Sequence, residues 1–236
     1  MYSFYRNIML WTEVWPLLIP LIVVLLYPQI NRKLRIVIFY IVVSLFLNLI
    51  STIISNYNDL VPQQFTNNNI LYNISAFLKV ILLGSYFTGL KQLKQYKYPR
   101  VLIYLFILLA VTNFLFAESI FNFSRYLFAG ASILLLILCM TFLLNSIIDD
   151  DVAASISEPS FIICVAISIF ETLNFFVYLF LFEIITTDLK IALVTMDISS
   201  YSYIISYSLL AVAIYKNSTK KLRFLTTNNT FTPDEK

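Results

Sequence analysis

The sequence predicts an all-α membrane protein, a bundle of seven transmembrane helices with the N-terminus outside and the C-terminus inside. Three observations carry that expectation. Of 236 residues, 60% are apolar and 12% charged, about half the charged fraction of a soluble domain. The apolar residues gather into runs of about 20, the length that crosses a bilayer as a helix. Lys and Arg collect on alternate connections, as residues that resist translocation do.

The expected spans cover 11–27, 34–55, 70–90, 101–117, 126–147, 160–182 and 193–215 within a membrane domain of residues 1–222, and 223–236 reads as a short polar cytoplasmic tail. The first span carries Glu13, has no small-residue cleavage site after it and is followed by Arg32, Lys33 and Arg35, the pattern of an uncleaved anchor rather than a signal peptide. Trp11 and Trp15 fall where that helix meets the outer interface. The fourth span (VLIYLFILLAVTNFLFA) is, with the first, the shortest; without it, both termini would share a side. Cys139 and Cys164 lie inside the apolar runs of spans five and six, where a thiol acts as a small apolar side chain. Ser199, Ser202 and Ser206 in span seven are spaced by three and four, so they share one helical face and let a neighbouring helix approach closely.

Orientation follows from the basic residues. Twelve of the sixteen lie on one side: Arg32, Lys33 and Arg35; Lys91, Lys94, Lys97 and Arg100; and Lys216, Lys220, Lys221, Arg223 and Lys236. Arg6, Arg125 and Lys190 lie on the other, and Lys79 is inside a span. The acidic fifth connection, with Asp149, Asp150, Asp151 and Glu158, weighs little in this rule.

Composition narrows the function. With no His in the chain, a His general base, a Ser-His or Cys-His nucleophile pair and a His metal ligand are all excluded. Gly84, Gly89 and Gly130 are the three glycines, too scattered for a phosphate-cradling loop. The chain is therefore expected to be no enzyme and to carry no cofactor or metal. The bilayer is its expected partner, and nucleic acid is not. Pro28-Gln29 and Pro62-Gln63 lie in unlike places and make no repeat.

Polar residues inside spans carry the most information, because a charge at the bilayer centre costs a few kcal/mol or more and usually faces the bundle interior. Lys79 lies nine residues into span three and Glu171 eleven into span six, which at about 1.5 Å per residue puts both near mid-membrane. Opposite signs at one depth predict an ion pair. Asp197 enters span seven near its outer end, and Asn48, Asn73, Asn113 and Asn174 all map to outer halves. This asymmetry predicts a hydrated cavity opening outward, with the pair at its floor and Asn73, Asn174 and Asp197 up its wall. Buried amides that merely join helices, at about 0.6 kcal/mol each, are the alternative. Span seven has no Lys before Lys216, which excludes a rhodopsin-like retinal attachment there.

NNNILYNISAFLKVILLGSYF (67–87), the basic loop after it, FSRYLF (123–128), EPSFIICVAISIF (158–170) and a last span rich in Ser and Tyr and ending in Tyr215-Lys216 resemble a group of small seven-helix membrane proteins of Bacteroidota, often encoded beside sensor histidine kinases or response regulators. The resemblance implies an inner-membrane sensing or signalling subunit: a small-molecule ligand enters the outward pocket, and the basic cytoplasmic surface passes the change to a kinase or another membrane protein. Those proteins often carry an acid at the position of Lys79, which implies a charge swap with a compensating partner here. A small-solute or ion transporter or channel gated by Lys79 and Glu171 is the second reading.

Overall fold

In the computed structural model, which describes residues 8–56, 67–148, 158–187 and 189–229, the described chain is helical. Seven helices follow the expected spans: α1 (Trp15–Leu26), α2 (Leu34–Asn56), α3 (Asn69–Thr88), α4 (Tyr98–Phe116), α5 (Arg125–Ile148), α6 (Pro159–Thr187) and α7 (Leu189–Asn229). One further helical turn, Lys91–Lys94, lies between α3 and α4. Helix is what apolar sequence without water demands, since each backbone N–H and C=O must then find its partner within the segment.

Six helices, α2 to α7, contain stretches long and apolar enough to cross a membrane. The chain is a multi-pass membrane protein. The fourth, expected to be as short as the first, is a continuous helix of 19 residues. By contrast α1 has 12 residues, about 18 Å of rise, less than the roughly 30 Å hydrocarbon core. Pro16 stands in its first turn, where a missing N–H leaves no bond unmade, and a second proline, Pro20, lies inside the helix. Turns at 11–14 precede it, closed by bonds such as Val14 N–H to Trp11 O at 2.9 Å. At the other end of the chain, α7 runs on to Asn229, so 223–229, expected as tail, continue the helix. The segment after Lys216 has neither Gly nor, before Pro233, a Pro to stop it.

The packing order makes a closed ring. Helix α1 packs on α2, α2 on α3, α3 on α5, α5 on α6, α6 on α7 and α7 back on α1, while α4 lies outside on the seam between α3 and α5. Only Pro99, Phe106 and Ala110 of α4 are buried; Tyr104, Leu108, Leu115 and Phe116 are exposed, facing where lipid tails would be. Toward the basic connections the middle of the ring is packed tight, with Ile41, Val80, Leu83, Leu135, Leu138, Ile163 and Ile214 all buried. The opposite half is polar and open.

Candidate functional site

On α3, Lys79 stands ten residues from Asn69, about 15 Å down from the end opposite the basic connections. Its Nζ lies 2.9 Å from Glu171 Oε1 on α6, with the two side chains 8% and 1% exposed. Nζ also donates to Oε2 at 3.2 Å, and Ser132 Oγ of α5 donates to the same oxygen at 2.6 Å. The ammonium lies 5.3 Å from the ring centre of Phe170 and 5.9 Å from that of Tyr178, close enough for attraction to the aromatic faces. Three helices thus meet at one charge pair whose polar atoms are well supplied with partners.

Above the pair is a cavity of about 610 Å³, lined from the segment before α1, from α2, α3, α6 and α7 and from the start of α5. Its deep wall is aromatic, built by Tyr40, Phe170, Tyr178, Tyr203 and Tyr207. These rings brace one another: Phe170 and Tyr203 meet edge to face at 4.9 Å, Tyr203 stacks on Tyr207 at 5.8 Å, and the Tyr40 and Tyr207 hydroxyls lie 3.4 Å apart. Toward the mouth the lining turns polar, with Asn48, Glu13, Tyr72 and Asp197. Tyr72 OH donates to Glu13 Oε2 at 2.9 Å, Asn48 Nδ2 to Glu13 O at 2.9 Å, and Thr12 Oγ1 to Ser200 Oγ at 2.9 Å. The segment just before α1 is thereby fastened to α2, α3 and α7 across one side of the opening.

The expected residues separate into two groups. Lys79 and Asp197 line the cavity, and Glu171 lies directly behind Lys79. Asn73 and Asn174 are buried elsewhere and do not line the cavity, so the wall expected of them is built by other residues. Asn73 Nδ2 donates to Ile120 O and Asn122 O, both at 2.8 Å, and its Oδ1 accepts from Ser124 N–H at 3.2 Å. It pins the connection before α5 to α3. Asn174 Nδ2 donates to Phe170 O at 2.8 Å and Ser202 Oγ at 2.6 Å, and its Oδ1 accepts from Ser199 Oγ. It joins α6 to the serine face of α7. Each amide is used up by protein partners, as interhelical hydrogen-bonding residues are.

Sequence reasoning missed Glu13, Tyr72 and the aromatic wall. Glu13 gave a signal, an acid inside an apolar run, but it weighed only against cleavage. The tyrosines gave none, because Phe and Tyr are plentiful throughout. Among the described residues no three His, Cys, Asp or Glu side chains gather as metal ligands would. The arrangement offers a charge at the floor, aromatic sides and acceptors at the mouth, the mix that binds small molecules. No family model matches the sequence, and comparison with curated proteins and with solved structures finds no match.

Proposed function

We propose that this chain is a non-enzymatic sensing subunit of the inner membrane, with seven crossings, the first made by α1 together with the turns at 8–14 before it, the N-terminus outside and the cavity facing out. The observation that carries the reading is a blind cavity whose floor is an ion pair tying α3 to α6. Directly beneath the pair the packing closes around a void of about 20 Å³ beside Glu171, room for a water at most, and a separate pocket of about 310 Å³ opens only at the basic end, among Lys33, Lys91, Glu158 and Asn217. A ligand that touches Lys79 competes with Glu171 for its protons and so changes how α3 is held to α6. Both helices run from there to the basic end, where a shift is presented to a cytoplasmic or membrane partner. The resemblance to membrane proteins encoded beside sensor histidine kinases makes such a kinase the proposed partner.

Transport is the competing reading, and proteoliposomes separate the two. The protein is purified, a small molecule that raises its melting temperature is found, and the same molecule is loaded as a radiolabelled solute. Sensing requires binding without flux, together with altered hydrogen exchange in the 91–100 connection when the molecule is bound. Flux that is saturable and lost in Lys79→Met would establish transport instead.

A further inference from the structure

The charges around the cavity do not balance. Lys79 is neutralised by Glu171, yet Glu13 and Asp197 also line the space, and among the described residues neither has a basic partner. Among the described residues the Glu13 carboxylate accepts one hydrogen bond, from Tyr72. Asp197 stands one helical turn from Ser200, which is bonded to Thr12 beside Glu13, so both acids border the mouth. A carboxylate partly removed from water is costly unless an opposite charge comes to it. The lining around it, Tyr72, Tyr178 and Tyr203, presents aromatic faces, which attract cations.

We propose that the ligand is an organic cation, an amine with an apolar body, whose ammonium sits against Glu13 and Asp197 at the mouth while the body lies along the aromatic wall. The proposal rests on the ligand-binding reading of the cavity and names its ligand class. From Tyr72 to Lys79 is seven residues of α3, about 10 Å of rise. The head site and the floor are therefore a small molecule's length apart, and a cavity of about 610 Å³ is within the range of small-molecule sites. Of the floor pair only Lys79 faces the cavity, so the floor offers a donor to a neutral acceptor at the ligand's far end and no counter-charge to the cationic end. An ammonium against a carboxylate makes a charge-assisted bond, roughly twice as strong as a neutral one.

The test is a matched series of 4-phenylbutylammonium, 4-phenylbutanol and 4-phenylbutanoate, titrated calorimetrically into the purified full chain in detergent. The amine is expected to bind at least about tenfold tighter than the alcohol, the scale of a hydrogen bond to a charged group. In Glu13→Gln, which keeps an acceptor for Tyr72, that advantage should shrink to about threefold or less. The same variant without ligand should melt at a higher temperature, since an uncompensated charge has been removed. If the alcohol or the carboxylate binds as well as the amine, the ligand class is wrong and the binding cavity stands. If Glu13→Gln lowers the melting temperature, the carboxylate has its counter-charge within the chain and the inference fails. If none of the three binds, the ligand-binding reading falls with it.

Discussion

Lys79 and Glu171 stabilise each other, and each alone would be intolerable. The pair is almost fully buried at 8% and 1% exposure, and removing one partner of such a pair typically costs about 3–5 kcal/mol because the other charge is stranded. Lys79→Met and Glu171→Gln should each lower the melting temperature of the purified protein, whereas the double variant should recover much of the loss. Additive effects in that cycle would show that the two side chains do not act together. Asn73 makes a different case. Its amide holds the 120–124 segment through three backbone partners, so Asn73→Ala, leaving buried groups unpaired, should destabilise by about 1–3 kcal/mol while leaving ligand affinity nearly unchanged. A large loss of affinity at equal stability would return Asn73 to the binding site. The ion pair was legible in the sequence because charges in an apolar run are rare and depth follows from counting. The fate of the amides was not, since an Asn at a given depth can point at water, at a neighbour or at a backbone carbonyl with the same spacing.

At the scale of elements, the close approach of α3 and α4 depends on Gly84. A Cβ built there would come within 2.7 Å of Ile103 Cδ1 and 3.0 Å of its Cγ1. Gly84→Ala should be tolerated within about 1 kcal/mol, because the terminal methyl of Ile103 can swing aside and Ala gains about that much helix propensity over Gly. Gly84→Leu has no such escape and should cost about 1–3 kcal/mol by overpacking, read as a lower melting temperature. An unchanged melting temperature for the leucine variant would mean that α4 is not held against α3. The existence of α4 was readable from its apolar run, but its place on the outside of the ring was not. That it buries only Pro99, Phe106 and Ala110 and rests the half-buried Ile103 against Gly84 depends on which face meets the α3–α5 seam, and a helix apolar all round carries no such mark.

For the whole molecule the proposed topology gives a direct test. If the twelve basic residues on one side against three on the other set the proposed orientation, with the C-terminus in the cytoplasm, an alkaline phosphatase fused after Arg223 should be inactive, whereas a fluorescent reporter folding only in the cytoplasm should light up. A periplasmic signal would invert the bundle, and the cavity would face the cell interior.

Hydropathy and charge counting, which depend only on what is next to what along the chain, determined that this is a membrane protein, where its helices lie and that one buried ion pair joins spans three and six. Tertiary structure decided the rest: the six-helix ring with α4 outside it, the aromatic wall, and the gathering of Glu13, Tyr72 and Asp197 at one mouth. These residues come from α3, α7 and the segment before α1, and which face each helix turns inward is set by packing against all its neighbours at once. In a chain apolar on nearly every face, that choice leaves little periodic trace in the sequence.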